Sequence, residues 1–302
     1  MGAIVEAAVS AEFLAGLLWG GVAAAIALAV GVAWLRWRRE PPPVAGLAAL
    51  VAAAAVMPIV RRLPGLVVAG LVMLALAGAV FPRTRRISMI PVLLALPGAW
   101  MIGASGIPGP GWAAPLVVVA TAVGGPLVSW FDEEIHGPPI VALLFALATA
   151  GVWATVPDTE EALVLLGAVI APTLLAWPLR VARLGPIGGH ALVGLYLWVV
   201  VWGGRGREGS IVGAMAALGM LMVAPTGAWI ARQSRVRATG WYGIGLISLQ
   251  LVVVVATTRI AGLREQAADA AWIAIPTLLV ALMIWVFVQR SFGSGLSPEG
   301  DD

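Results

Sequence analysis

The sequence predicts an all-α, polytopic bundle of membrane-spanning helices, and three observations carry that prediction. The chain has 302 residues, of which 61% are apolar and 11% charged, against about 45–50% and about 25% in soluble proteins. Its mean hydropathy is +1.00, and 18 basic with 15 acidic residues cannot clothe so large an apolar fraction in water, which makes lipid the expected solvent for most of the chain. Third, apolar runs of about 16–22 residues recur between short polar breaks, and crossing a ~30 Å hydrocarbon core takes about 20 helical residues.

Eleven spans follow from those runs, with a range of nine to twelve. The first, 12–35, ends at Arg36, Arg38 and Arg39 and a run of three prolines; the second, 44–60, ends at Arg61-Arg62-Leu63-Pro64-Gly65. The third, 65–81, is short enough that it and the second could instead form a pair of half-spans or a re-entrant hairpin. The fourth, 88–106, stops in the Gly- and Pro-rich 106–111, and the fifth, 113–131, stops at Asp132. The sixth, 140–156, runs from Pro139 to Pro157, and the seventh, 162–179, from Glu161 to Arg180. The last four, 188–204, 210–231, 240–257 and 270–289, are divided by Arg205 and Arg207, by Arg232, Arg235 and Arg237, and by Arg259 and Arg264. One transmembrane domain over 1–290 is expected, with halves at 1–112 and 113–290, followed by a polar tail at 291–302.

Orientation follows from the arginines. With the N-terminus outside and the C-terminus inside, twelve fall in inner loops and six in outer loops, the bias expected of the cytoplasmic side. Residues 1–10 carry no positive charge, so the first span reads as a retained anchor and not as a secretory signal. Tryptophans 34, 37, 112, 130, 153, 202, 241 and 272 fall near span ends, where the amphipathic ring suits the headgroup level.

The missing residue types exclude several chemistries. No Cys is present, which removes disulfides, thiolate nucleophiles and Cys-ligated metals. No Lys is present, which removes Schiff bases and a P-loop lysine. Every basic residue is Arg, and the excess of Ala, Gly, Val and Arg is the habit of a GC-rich bacterial genome, so the expected location is a bacterial inner membrane. The arginine clusters lie between apolar runs, an arrangement that reads as membrane orientation; no nucleic-acid partner is expected, and membrane lipids or other membrane-complex subunits are.

A motif recurs along 113–290. Ala171-Pro172-Thr173, Ala224-Pro225-Thr226 and Ile275-Pro276-Thr277 are similar, with Gly125-Pro126 a looser relative. The spacing equals two spans plus two loops, so parallel two-helix hairpin repeats are expected. Each proline frees a carbonyl one turn earlier and bends its helix, and Thr173, Thr226 and Thr277 are the local groups able to satisfy it. Pro172, Thr173, Pro225, Thr226, Pro276, Thr277, Gln250 and Tyr196 are therefore the expected substrate pathway. Arg180, Arg183, Arg232, Arg235 and Arg237 are the expected inner-rim contacts to phosphate or lipid headgroups.

Asp132-Glu133-Glu134 with His136 is the densest titratable cluster, a weak candidate for a metal or proton site in an inner loop. Gly103-Ala104-Ser105-Gly106 matches the Gly-x-Ser-Gly pattern of rhomboid intramembrane proteases, but the topology puts Ser105 and His190 at opposite membrane faces, His190 at an interfacial position. No catalytic residue and no cofactor is expected. No Asp, Glu or Arg falls near a span centre, which disfavours carriers of strongly charged solutes and proton relays. The function expected is a transporter or flippase for a neutral, apolar or lipid-linked substrate. The alternatives are a structural subunit of a membrane complex, favoured by abundant Gly and Ala, and an enzyme acting on a lipid phosphate.

Overall fold

The structure is a computed structural model that describes residues 64–80, 89–134, 185–230, 252–254 and 256–292, with scattered helical positions between 14 and 29. Among these residues it is all-helical, without strands. Six helices are defined: α1 Gly65–Val80, α2 Met89–Gly103, α3 Ala113–Glu134, α4 Gly185–Gly203, α5 Glu208–Ile230 and α6 Ala267–Phe292. A shorter helical stretch, Val252–Gly262, precedes α6. All six begin and end within a few residues of apolar runs in the sequence, because the breaks are Gly, Pro and charge.

Two boundaries differ from expectation. Helix α3 continues to Glu134, so Asp132, Glu133 and Glu134 form its last turn and not a loop. The 252–262 stretch runs past Thr257, Thr258 and Arg259, which the sequence places at a span end and in an outer loop. Thr258 donates its hydroxyl to the Val254 carbonyl at 2.7 Å, so its polarity is satisfied inside the helix and does not end it.

Helices α1 to α4 close a ring in which α1 packs on α2, α2 on α3, α3 on α4 and α4 on α1. The ring draws two helices from each side of residue 112. At the α1–α2 crossing Gly70 faces Gly98; small residues here let two backbones touch. Helix α5 lies against α3 and α4 and pairs with α6. Helix α4 is the centre, buried at every residue from 188 to 201, as befits a helix with no polar face.

Apolar side chains also cover the outside. Leu76, Val80, Met89, Trp100, Trp272, Met283 and Phe287 are each more than half exposed, far more large apolar surface than a water-facing protein shows. One described helix is both long and apolar enough to cross a membrane, Ala267–Phe287 within α6. The apolar stretches of the other helices are shorter.

Three connections meet at one end. Gly109 of the α2–α3 loop lies against Gly206 of the α4–α5 turn. Gly206 has φ +71° and Arg205 φ +51°, a left-handed pair that reverses the chain within four residues. From the N-terminus of α5, the Glu208 carboxylate accepts the Ala267 N–H at 2.7 Å, capping α6 across the bundle. Removal of that acceptor by Glu208→Ala is expected to destabilise the protein by about 1 kcal/mol and to speed amide exchange in the first turn of α6, measured by mass spectrometry. Trp100, Trp112 and Trp272 are exposed toward this end.

Candidate functional site

The buried polar side chains among the described residues are Thr121, Ser129, His190, Ser210, Thr257 and Thr258. Two of them meet. Ser129 Oγ on α3 lies 3.1 Å from His190 Nδ1 on α4 and donates to the Gly125 carbonyl at 2.8 Å. Both side chains are fully buried.

Glycine makes the contact. A Cβ on Gly125 would come within 2.8 Å of the His190 ring, and one on Gly189 within 2.6 Å of Ser129 Oγ. Gly125 and Ser129 are one turn apart on α3, while Gly189 and His190 are adjacent on α4, so each helix offers a notch to the other's polar side chain. Helix α3 is weak at this level. Gly124 and Gly125 are followed by Pro126, which has no N–H to give the Ala122 carbonyl. The Ser129 side chain spans this turn by returning to the Gly125 carbonyl, a bond that favours bending.

A second polar group lies further along α4, toward the loop end. Trp198 Nε1–H donates to Ser105 Oγ at 3.2 Å, and Ser105 donates in turn to the Ile102 carbonyl at 2.6 Å. Trp198 stacks on Trp202 with centroids 5.3 Å apart and planes 11° apart. Ser105 is thus tied to the C-terminal half of α4, two turns or about 12 Å from His190. That separation is shorter than the membrane thickness expected, yet it keeps the two residues of the rhomboid-like pattern from acting together.

Compared with known proteins, the chain matches no family model, and no curated protein and no solved structure is significantly similar to it. The functional argument therefore rests on this geometry.

His190, placed by the sequence at the mouth of a span, is wholly buried within the bundle, packed against the glycine notch of α3. The signal lay in the paired small residues, Gly-Gly-Pro with Ser129 on one helix and Gly-Gly-His on the other, which permit close approach.

Five of the expected pathway residues, Tyr196, Pro225, Thr226, Pro276 and Thr277, fall among the described residues. Tyr196 is buried on α4 and donates to the Ala214 carbonyl at 3.4 Å. Pro225 and Thr226 lie within α5. Pro276 sits in α6 on its exposed side. Thr277 donates to the Ile273 carbonyl at 2.7 Å, one residue beyond the Trp272 carbonyl that Pro276 deprives of a donor. Helices α5 and α6 run parallel, with Glu208 beside Ala267 and Gly219 beside Leu278; this register sets Pro276 roughly two turns nearer the loop end than Pro225. Pro172, Thr173, Gln250, Arg180, Arg183, Arg232, Arg235, Arg237 and His136 lie outside the described residues.

Proposed function

We propose that this chain is a multi-pass protein of a bacterial inner membrane, with about eleven spans, that moves a neutral, apolar or lipid-linked substrate as a transporter or flippase. The distribution of polarity carries the reading. Large apolar side chains face outward along the described helices, while the buried polar side chains are hydroxyls and one histidine, with no Asp, Glu or Arg among them. Such an interior supports passage of a weakly polar group while an apolar tail stays in lipid. The expected inner-rim arginines would hold a phosphate or headgroup at the cytoplasmic side.

Purification in mild detergent with native lipid, followed by mass spectrometry of what remains bound, tests this. A stoichiometric lipid-linked or small neutral molecule is the expected result; a stoichiometric protein partner would make the chain a subunit of a complex. One feature favours that second reading. Helix α6 packs chiefly on α5 and leaves Trp272, Ile275, Leu279, Val280, Met283 and Phe287 exposed as one continuous stripe, a face able to receive another apolar helix.

A further inference from the structure

We propose that Thr121 is a binding contact for an uncharged hydroxyl or carbonyl group, held where α3 meets α4 and α5. This deepens the transporter reading, on which the assignment of that group to a substrate rests. The observation that carries it is an unmet hydroxyl. Thr121 is fully buried, and its Oγ1 has no hydrogen-bond partner among the described residues. A serine or threonine inside a helix can return its proton to the carbonyl of the preceding turn. Ser129, Thr258 and Thr277 do so, to Gly125, Val254 and Ile273, whereas Thr121 leaves the Val117 carbonyl unused. Burying a hydroxyl without a partner is unfavourable, and a polar group kept at such a cost in stability is characteristic of a binding site.

Register places this hydroxyl at a junction of three helices. A Cβ on Gly124 would meet Val193 of α4 at 2.9 Å and Leu218 of α5 at 3.7 Å. Thr121 lies three residues before Gly124, on the same face of α3 and one turn nearer the loop end. Helix α4 runs antiparallel to α3, and α5 runs parallel to it, so the same step leads from Val193 to Tyr196 and from Leu218 to Met215. In this layer the Tyr196 hydroxyl reaches across to the Ala214 carbonyl at 3.4 Å.

The chemistry of the layer selects the ligand. Helix α4 carries no Asp, Glu or Arg, and the nearest on α3 and α5 are Asp132, about three turns away, and Glu208, in the first turn of α5. An ionic group would find no countercharge here. A hydroxyl, ester or amide finds in Thr121 a side chain that both donates and accepts. Among the described helices, α5 packs chiefly on α6 and touches α3 and α4 less extensively than those two touch each other. Parting α5 from α3 and α4 is therefore the least disruptive way to uncover Thr121.

The test uses the full chain in mild detergent, with 3-azioctanol as the probe. This uncharged alcohol carries a diazirine that inserts into neighbouring side chains on illumination, and mass spectrometry locates the adducts. Saturable adducts within 193–200 of α4 or 211–218 of α5 are expected. Thr121→Val, which keeps the shape and loses the hydroxyl, should reduce them about fivefold, the worth of one hydrogen bond. Thr121→Ser should restore them and show that the site is intact. Without the probe, Thr121→Val should raise the unfolding temperature by about 2–4 °C, because it removes an unmet polar group. An unchanged or lower unfolding temperature would mean that the hydroxyl is satisfied within the protein, and would overturn the proposal. Adducts absent from this layer, or indifferent to Thr121→Val, would overturn it as well. No transport enters these measurements. Their failure leaves the transporter reading standing, and a protein partner found on purification removes that reading without touching the alcohol site.

Discussion

Gly98→Val is expected to prevent α1 and α2 from docking and to abolish most of the folded protein. A Cβ at residue 98 would stand 2.7 Å from the Gly70 carbonyl oxygen, 2.9 Å from Leu74 Cγ and 3.0 Å from the Leu74 backbone nitrogen. Two of those three atoms are backbone, which has no rotamer to move into. Overpacking a tight core costs about 1–3 kcal/mol even where side chains can adjust, so a loss of about 3 kcal/mol or more is expected for a branched side chain against main chain. Most of a marginal stability would go with it. The readout is the fraction remaining folded and monodisperse on heating in mild detergent. Gly111→Ala is the control: nothing lies within 4 Å of its Cβ position, and a change within about 0.5 kcal/mol is expected.

Trp198→Ala carries the second large effect, because it acts on three contacts at once. The side chain is 2% exposed, stacks on Trp202 and holds the hydroxyl of Ser105 from the α2–α3 loop. Truncating a buried Trp costs about 3–5 kcal/mol. Trp198→Phe separates the parts, since it keeps an aromatic ring for Trp202 while losing the N–H donor and part of the buried ring volume; a loss of about 1–2 kcal/mol is expected. Near-equal effects of the two substitutions, read from the same thermal unfolding, would mean that the hydrogen bond and not the ring holds this end together.

The positions of the six described helices were legible in the sequence, and their arrangement was not. Gly-Pro runs such as 106–111 and arginine clusters such as Arg83, Arg85 and Arg86 interrupt apolar runs plainly, since neither can sit unpaired in lipid. Choosing the central helix from sequence would require a polar face on the others, but α1, α2 and α4 are apolar all round. Helix α4 owes its place to glycines 189 and 194, which let α3 and α1 approach it. Thr257 and Thr258 read as a boundary because hydroxyls are polar, yet a threonine inside a helix can return its proton to the preceding turn, as Thr258 does. The glycines beside His190 mark the mouth of a span in the sequence, and in the structure they form a packing notch. The proline register shows the limit of repeat reasoning, since parallel helices can carry similar motifs at different depths.

The proposed topology sets the connections 104–112, 204–207 and 263–266 together on the outer face of a membrane-spanning bundle. The chain contains no cysteine, so single cysteines report without background. Gly111, Arg207 and Glu265 are exposed in or beside those connections, and Ser234 lies in the arginine-rich segment expected inside. Gly111→Cys, Arg207→Cys and Glu265→Cys should react with a membrane-impermeant maleimide in intact cells, and Ser234→Cys only after permeabilisation. Labelling that divides the first three between the two faces would contradict the bundle, and labelling of all three only after permeabilisation, with Ser234→Cys open from outside, would reverse its orientation.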